Sequence, residues 1–404
     1  MGTNNWQAKR VAVTGAGGFI GSHLVDALVR AGAEVTAIVR YNSGARIGNL
    51  DFLDPEVRAA MTIAFGNIED SDFIYQTLEG KDVVLHLGAL IAIPYSYEAP
   101  RSYVRANIEG TLNVLQAGRR SAVGRIVHTS TSEVYGTALR TPIDESHPLQ
   151  GQSPYSASKI AADKLAESYC RSFELPVVTL RPFNTYGPRQ SARAFIPTII
   201  SQAFARDEIR LGSLTPERDM TYVSDTVAGF LAAGSQPGIE GMTINLGTGE
   251  TYSVGWFASR ILSLMGVDKP IVTEAQRLRP EQSEVLKLIS DNSLAQRAGL
   301  GAAHDHRRRP LPDDRLRALQ SRLLCHRPLH HLKAVTRGLG TTGIGTAPRR
   351  GWSTPPVGRG HGVGHMTVTV AVSFPRGDGR ETSVDYSSRL TPTDACGLRC
   401  PTGR

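Results

Sequence analysis

The chain has 404 residues, of which 40% are hydrophobic, so it is long enough for about two or three domains with ordinary buried cores. It contains no run near the ~20 consecutive apolar residues that span a bilayer and no N-terminal signal-peptide pattern. Its low cysteine content predicts a protein of the reducing cytoplasm. The net charge of the chain is +8, and its positive excess lies in residues 302–404, which contain 17 basic and 7 acidic residues. Residues 1–301 contain 28 basic and 30 acidic residues. This part of the chain therefore lacks the positive charge that is typical of a nucleic-acid-binding protein.

The first part of the chain alternates short apolar runs, typical of buried strands, with amphipathic helical patterns. The predicted strands are Val11–Thr14, Glu34–Arg40, Thr62–Phe65, Val83–Leu87, Ile126–Ser130 and Val177–Arg181. The predicted helices are Ile20–Ala31, Phe73–Leu78, Tyr103–Arg119 and Ala157–Phe173. This alternation predicts an α/β fold, a Rossmann-type doubly wound parallel sheet over residues 9–181, with ligands at the carboxyl ends of its strands.

The pattern changes after Arg181, where prolines separate shorter elements. Residues 182–301 are predicted to form a smaller C-terminal substrate-binding lobe, with some segments returning to the sheet. The helices expected there are Ile196–Arg206, Asp225–Ala233 and Val254–Met265.

Residues 302–404 are rich in Arg, Pro and Gly and predict an irregular basic tail, in which Thr367–Phe374 alone is strand-like. Two interpretations remain open: the tail is intrinsically disordered, or it is translated in an altered frame. Cys396 and Cys400 form a lone CxxxC without a second ligand pair, so no metal site is expected. The four cysteines of the chain are too few for a disulfide scaffold.

A glycine-rich segment, Gly15-Ala-Gly-Gly18-Phe19-Ile20-Gly21, joins the first predicted strand to the first predicted helix. The first glycine allows a tight turn, the third lets backbone N–H groups approach a pyrophosphate, and the last allows close helix–strand packing. The positive end of the helix dipole then faces the phosphates. The segment therefore predicts a dinucleotide site rather than a structural turn.

The residues after the second to fourth strands are candidates for the rest of the cofactor site. The second strand ends at Arg40 without an acidic residue, so Arg40 either pairs with the 2′-phosphate of NADP or is a solvated surface charge. We therefore favour NADP over NAD. Asn67 and Ile68 are expected to flank the adenine, and Leu87 and Ala89 to leave room for backbone contact with the cofactor.

Tyr155 and Lys159 open a helical run at positions i and i+4, so both side chains lie on one helix face. A free tyrosine has a pKa of ~10 and is a poor base at neutral pH, but a neighbouring lysine cation favours its phenolate. Such a phenolate can take the proton of a substrate hydroxyl group. The same pair is also common on helix surfaces by chance, and the glycine-rich segment upstream favours the functional interpretation.

Thr131, Ser132 and Glu133 follow a predicted strand directly and so stand where catalytic residues are expected in this fold. The hydroxyl of Thr131 can bond the reacting oxygen. Glu133 is either a general base, whose pKa is raised by its apolar surroundings, or a charge at the N-terminus of a helix.

These segments resemble the extended short-chain dehydrogenases/reductases, in particular the NAD(P)-dependent nucleotide-sugar epimerases and dehydratases, over about residues 9–301. Further motifs carry the resemblance: Asn107-Ile-Glu-Gly110-Thr111, Arg181-Pro-Phe-Asn184, Arg218-Asp219 and Arg279-Pro280. The resemblance implies that Thr131, Tyr155 and Lys159 oxidise the sugar. It also implies that the nucleotide diphosphate is held by Asn184, Arg218 and Arg279, and that the protein is a homodimer built through the helices Tyr103–Arg119 and Ala157–Phe173.

Within this family an acid after the threonine is typical of 4,6-dehydratases, and Ser132-Glu133 is most similar to enzymes acting on GDP-mannose and UDP-N-acetylglucosamine. Glu133 would remove the C5 proton, and Ser132 or Glu133 would supply a proton to the leaving C6 hydroxyl. Three alternatives stay open: a 4-epimerase, a UDP-glucuronate decarboxylase-like enzyme with the same motif, and a non-catalytic dinucleotide-binding or nucleic-acid-binding protein. The chain departs from the family pattern from Ala302 onward.

Overall fold

The computed structural model describes residues 6–274 and 285–300, together with the backbone of the strands at 366–375 and 381–390. The chain divides into two compact units, Met1–Gly338 and Leu339–Arg404. Arg279, Cys325, Cys396 and Cys400 lie outside the described residues.

The strands described in the first unit are β1 (Arg10–Thr14), β2 (Glu34–Arg40), β3 (Met61–Gly66), β4 (Val83–His86), β5 (Arg125–Thr129), β6 (Val177–Pro182), β7 (Asn184–Tyr186), β8 (Ile209–Leu211), β9 (Glu217–Arg218), β10 (Met220–Tyr222), β11 (Thr243–Leu246), β12 (Tyr252–Ser253), β13 (Ile271–Thr273) and β14 (Lys287–Leu288). Each strand predicted within residues 9–181 is present, with ends that differ by at most one residue.

The helices described are α1 (Phe19–Arg30), α2 (Pro55–Ala59), α3 (Ser71–Leu78), α4 (Ile93–Glu98), α5 (Pro100–Tyr103), α6 (Gly110–Arg120), α7 (Pro154–Phe173), α8 (Phe195–Ala205), α9 (Val223–Ser235), α10 (Val254–Met265) and α11 (Ser293–Arg297). Short 3-10 helices cover Gly48–Phe52 and Ser132–Tyr135, and a π-helical turn covers Val104–Glu109. Among these described helices, none has the length and apolar character needed to cross a membrane.

A seven-stranded sheet with the order β11-β6-β5-β4-β1-β2-β3 forms the centre of the first unit. Every neighbouring pair in it is parallel. Sheets of this kind are buried on both faces, which explains why the strands are nearly continuous apolar runs. The prediction of a Rossmann-type α/β fold is confirmed.

Successive residues of β1 point to opposite faces of the sheet and join different cores. Val11 and Val13 pack with α1 and α9, whereas Ala12 packs with α3, α6 and α7. Helices therefore cover both faces, and the carboxyl edge of the sheet stays available for a ligand site.

A third core lies outside the sheet and joins α8 and α10 to β8, β10 and β13. The chain does not stay in this lobe after Arg181, because β11 pairs with β6 and α9 packs on α1. The boundary between residues 181 and 182 stays a prediction.

The second unit contains an antiparallel pair, β15 (Met366–Pro375) and β16 (Glu381–Leu390). The sequence pattern predicts a strand at Thr367–Phe374 and none at Glu381–Leu390, so the strand at Glu381–Leu390 departs from the prediction. The missed strand has few apolar residues, and its backbone pairing with β15 gives no signal in the hydrophobic pattern.

Candidate active site

The glycines of residues 15–21, here called the phosphate loop, are required by close backbone approaches. Gly15 has a positive φ of 68°, and a Cβ placed on it would lie 2.9 Å from the backbone nitrogen of Gly88. A Cβ on Gly21 would lie 2.3 Å from the carbonyl oxygen of Gly15. Gly18 precedes the first turn of α1, where a glycine leaves backbone N–H groups accessible to an anion. The loop thus forms the cradle that a pyrophosphate needs, and Phe19 and Ile20 start the helix beside it.

Sequence reasoning missed the role of Gly17 in this loop. A Cβ on Gly17 would lie 2.6 Å from the carbonyl oxygen of Ile47, and the carbonyl oxygen of Gly17 accepts a hydrogen bond from Asn49. The phosphate loop is therefore packed against the segment that follows β2, which gives this glycine a packing role.

The residues predicted to surround the rest of the cofactor lie at the carboxyl edge of the same sheet. Arg40 pairs with Gly66 at the ends of β2 and β3, and Asn67 follows directly; both Arg40 and Asn67 are exposed. Ile68 is half-buried beside Gly88. The segment Leu87–Ala89 follows β4, next to β1.

A chain of hydrogen bonds connects the start of the cofactor site to α6. The hydroxyl of Thr14 accepts from the backbone nitrogen of Gly88 (2.9 Å) and contacts Nδ1 of His86 (2.8 Å). Nε2 of His86 lies 3.1 Å from the Thr111 hydroxyl, which itself donates to the Asn107 carbonyl. That hydroxyl must therefore accept from Nε2–H, and Nδ1 accepts from Thr14. Burial keeps the pKa of His86 well below its usual range, in agreement with a neutral ring.

Asn107 explains why the predicted helix Tyr103–Arg119 is interrupted. Its side chain donates to the carbonyl of Leu90 (2.9 Å) and to the Ser158 hydroxyl (2.9 Å), and it accepts from the Leu90 backbone nitrogen (2.8 Å). Asn107 lies within the π-helical turn, and such turns are frequent at functional sites. The turn joins the loop after β4 to α7.

Tyr155 and Lys159 lie on the first two turns of α7, which begins at a capping box formed by Ser153 and Ser156. Both side chains are buried, and Nζ of Lys159 donates to the carbonyl oxygen of Thr129 (2.6 Å). The side chain of Thr131 acts on the phenol of Tyr155 and favours its ionised form. The structure thus brings together the three residues that the resemblance assigned to oxidation.

Tyr155 and Lys159 are buried in surroundings that disfavour the charged form of each side chain, so formation of the Tyr155 phenolate requires a nearby cation. Burial raises the pKa of Tyr155 well above its usual value; the side chain of Thr131 opposes this rise, and the charge of Glu133 adds to it. Burial lowers the pKa of Lys159 to about 8, opposed by the charge of Asp163. A protonated Lys159 and a cationic cofactor ring would both favour the phenolate.

Glu133 occupies the first turn of the short 3-10 helix Ser132–Tyr135 and is half-buried. Thr131 caps this helix, with its hydroxyl accepting from the Glu133 backbone nitrogen at 3.2 Å. Ser132 is buried beside it. Because the charge of Glu133 acts on Tyr155, this carboxylate shares the site with the phenol.

Asn184 and Arg218, two of the residues predicted to bind the nucleotide, lie on short strands outside the seven-stranded sheet. Asn184 starts β7 and pairs with Met220 of β10. Arg218 is buried on β9, where its guanidinium donates to the carbonyl of Glu217 (3.0 Å). The third predicted residue, Arg279, lies outside the described residues.

Sequence analysis also missed a group of buried polar residues below Lys159, here called the buried charge cluster: His128, Ser130, Asp163 and Arg181. Asp163 accepts hydrogen bonds from the other three. The signal was present in the spacing, because Tyr155, Lys159 and Asp163 repeat at four-residue intervals on one helix face. Its partners on β5 and β6 gave no local signal. Across the described residues, no group of three or more His, Cys, Asp or Glu side chains is arranged to hold a metal.

A phosphate loop on a Rossmann sheet, combined with a buried tyrosine–lysine pair on α7, places the protein in the class of extended short-chain dehydrogenases/reductases. Within that class, the chain belongs to the nucleotide-sugar dehydratase and epimerase family, since the sequence profile described as GDP-mannose 4,6-dehydratase matches residues 12–298.

Known relatives of the chain include both dehydratases and epimerases. It is 32% identical to the human dTDP-D-glucose 4,6-dehydratase over 64% of this chain and 74% of that protein. The UDP-N-acetylglucosamine 4-epimerase of Methanobrevibacter ruminantium, solved with UDP-N-acetylmuramic acid, has a TM-score of 0.70 and 27% identity over 80% of this chain and 100% of that chain. The dTDP-glucose 4,6-dehydratase of Streptomyces venezuelae, solved with NAD, has a TM-score of 0.69 and 26% identity over 78% of this chain and 97% of that chain.

Proposed function

We propose that this protein is a nucleotide-sugar 4,6-dehydratase, which converts a nucleoside-diphosphate hexose into the 4-keto-6-deoxy sugar. The observation that carries the proposal is the position of Glu133, a half-buried carboxylate two residues after Thr131 whose charge acts on Tyr155. A dehydratase needs such a second base, because it must remove the C5 proton as well as the hydroxyl proton at C4.

The cofactor is NAD(P), and the phosphate loop fits its pyrophosphate, because Gly15 and Gly21 leave no space for side chains where the backbone must come close. When bound, the nicotinamide supplies the reversible redox chemistry at the sugar. Arg40 supports a preference for NADP: it is exposed at the end of β2, where a guanidinium can pair with a 2′-phosphate.

The first proton transfer belongs to Tyr155. Its phenolate takes the proton of the 4-hydroxyl, while Thr131 donates a hydrogen bond at the same oxygen and Lys159 supplies the positive charge that favours the phenolate. Oxidation at C4 gives a ketone, which acidifies the proton on C5.

The elimination belongs to Glu133 and Ser132. Glu133 removes the C5 proton, and the C6 hydroxyl leaves as water with a proton from Ser132 or Glu133. The hydride that a bound nicotinamide would take from C4 would be returned to C6, and a proton would return to C5, which gives the 4-keto-6-deoxy sugar. The buried position of Ser132 and the half-buried position of Glu133 keep this step away from bulk water. Asn184, Arg218 and Arg279 hold the nucleotide diphosphate, since guanidinium groups bind phosphate oxygens by paired hydrogen bonds.

The proposal is tested by NMR on the purified protein with NADP⁺ or NAD⁺ and a panel of UDP-, GDP- and dTDP-hexoses. A dehydratase produces a C6 methyl signal and a 4-keto carbon from one of them. Glu133→Gln should reduce this conversion by about 10²-fold or more, because it removes the base for C5. The matched control is Glu79→Gln, which changes an exposed glutamate at the end of α3. Dehydration by Glu133→Gln at the wild-type rate would refute the role of Glu133.

A 4-epimerase is the second candidate, because a solved relative is described as a 4-epimerase. It would use Thr131, Tyr155 and Lys159 in the same first step and return a hexose that keeps its C6 oxygen. A product with inverted C4 and an intact C6 hydroxyl would therefore replace the dehydratase proposal by this one.

We also propose a homodimer formed through the surfaces of the π-helical turn, α6 and α7. Val104 and Phe173 are apolar residues on these elements that are 45% and 44% exposed, respectively. Light scattering should give twice the mass of the chain for the wild type and a smaller mass for Val104→Glu. A wild-type monomer would contradict this proposal.

A further inference from the structure

The side chain of Asp163 is buried, with 5% of its surface exposed, and both oxygens of its carboxylate accept hydrogen bonds. One oxygen accepts from Ser130 Oγ (2.7 Å) and from Nη2 and Nε of Arg181 (2.9 and 3.2 Å). The other oxygen accepts from Nε2 of His128 (3.1 Å). These donors come from the carboxyl-terminal ends of β5 and β6, so a single side chain of α7 binds both strand ends.

The contacts of Asp163 flank the groups that hold the catalytic pair. His128 and Ser130 stand on either side of Thr129, whose carbonyl accepts the hydrogen bond from Lys159 at 2.6 Å. Thr131, the next residue after Ser130, acts on the phenol of Tyr155 and lowers its pKa. The position of this strand end relative to α7 therefore decides whether Thr129 and Thr131 reach their partners.

The ionisable groups around Tyr155, Lys159 and Asp163 come from five elements. Tyr155, Lys159 and Asp163 lie on α7, His86 on β4, His128 on β5, Glu133 on the 3-10 helix after β5, and Arg181 on β6. Burial lowers the pKa of both histidines, so neither adds a positive charge at neutral pH. Asp163 is thus the anion that compensates two buried cations, Lys159 and Arg181.

We propose that Asp163 is a positioning residue for the first proton transfer: it fixes the end of β5 against α7, so that Thr129 and Thr131 keep Lys159 and Tyr155 in place. This inference rests on the proposed role of Tyr155 as the base. It does not depend on the final product, because the oxidation at C4 is common to dehydration and 4-epimerisation.

The direct test uses Asp163→Asn, Ser130→Ala and a matched control, Glu167→Gln. Glu167 lies one turn further along α7 and forms surface ion pairs with Lys164 and Arg171. Turnover is measured from pH ~6 to ~10 with the sugar nucleotide that the wild type converts, and thermal unfolding is followed in parallel.

In Asp163→Asn, kcat should fall about 10²-fold with little change in KM, because a small displacement of the reacting groups has an effect of that size. The alkaline limb of the pH profile should also move to lower pH, since Lys159 loses the anion that favours its charged form. Ser130→Ala should reduce kcat about tenfold by the same argument, and Glu167→Gln should match the wild type.

A folded Asp163→Asn variant with the wild-type kcat and alkaline limb would overturn the proposal. A lower unfolding temperature with unchanged kcat would do the same, since it would indicate a purely structural ion pair. Should Asp163→Asn fail to fold, an unchanged kcat in Ser130→Ala decides against the proposal.

If the wild type converts no sugar of the panel, the proposed function fails and the positioning role is decided by crystal structures of the wild type and of both variants. We expect longer distances from Lys159 Nζ to the Thr129 carbonyl and from the Tyr155 hydroxyl to Thr131 in the variants. Unchanged distances in both variants would overturn the proposal.

Discussion

The phosphate loop and the buried charge cluster lie at the carboxyl edge of one sheet, but different forces determine them. The loop depends on the absence of side chains, since a Cβ on Gly21 would lie 2.3 Å from the Gly15 carbonyl oxygen. The cluster depends on compensation of buried charges around Asp163. Steric changes should therefore disturb the first region at every pH, whereas changes of charge or pH should disturb the second.

Substitution of the catalytic pair, Tyr155 and Lys159, should have the largest effect on turnover. Tyr155→Phe removes the hydroxyl that takes the sugar proton, so turnover should fall by about 10³-fold. The buried ring keeps its place, so the unfolding temperature should change little. Steady-state kinetics and thermal unfolding measure both effects. Turnover within tenfold of the wild type would exclude Tyr155 as the base.

The phosphate loop should respond to a single added methyl group. Gly21→Ala forces backbone atoms apart, which should lower the free energy of unfolding by about 2 kcal/mol and weaken cofactor binding at every pH. The control is Gly44→Ala, because a Cβ there would meet its nearest atom at an ordinary 3.6 Å. Urea unfolding and calorimetric titration with NAD⁺ and NADP⁺ measure these effects. Equal behaviour of the two variants would contradict the account of the loop.

The buried charge cluster should make the free energy of unfolding depend on pH in the acidic range. Burial opposes ionisation of Asp163, but the hydrogen bond from the neutral His128 ring and the charges of Arg181 and Lys159 lower its pKa to about 2, below its ordinary 3.8. A carboxylate with a lowered pKa stabilises the fold above its unfolded-state pKa and loses this contribution as the pH falls through the folded-state value. The contribution is about 2 kcal/mol and should disappear between pH ~4 and ~2.

Urea unfolding of the wild type and Asp163→Asn across this range tests the expectation. The difference in unfolding free energy between the two proteins should shrink as the pH falls. A difference that stays constant from pH ~5 to ~2 would show that the ionised form of Asp163 has no special stability.

The smallest expected effect concerns Arg40 at the outer end of the cofactor site. Arg40→Ala should weaken binding of NADP⁺ by about tenfold and leave binding of NAD⁺ unchanged, because Arg40 is exposed and its ion pair is partly screened. Parallel titrations with the two cofactors measure the ratio. An equal change in affinity for both cofactors, or no change for either, would mean that Arg40 does not bind the 2′-phosphate.

The sequence predicts the phosphate loop because its requirements are local: the strand, the glycines and the helix follow one another within residues 10–30. The strands of the sheet were predictable for a similar reason, since burial on both faces makes them continuous apolar runs.

The buried charge cluster escaped prediction because its contacts join distant parts of the chain. Asp163 meets His128 and Arg181, which are 35 and 18 residues away, and no periodicity within a helix specifies such partners. The interruption of the predicted helix at Asn107 was not predictable for the same reason, because the Asn107 side chain is hydrogen-bonded to Leu90 and Ser158, which lie on other segments. Tertiary contacts therefore decide the parts of the site that local pattern cannot.

The central claim is that the oxidation at C4 is followed by loss of water from C5 and C6 within one site. The most direct test is conversion of a nucleotide hexose labelled with deuterium at C4, using the sugar identified in the panel. The account predicts a 4-keto-6-deoxy product with deuterium in its C6 methyl group, detected by NMR and mass spectrometry. A product with deuterium still at C4 and the C6 hydroxyl intact would contradict it and assign the site to epimerisation.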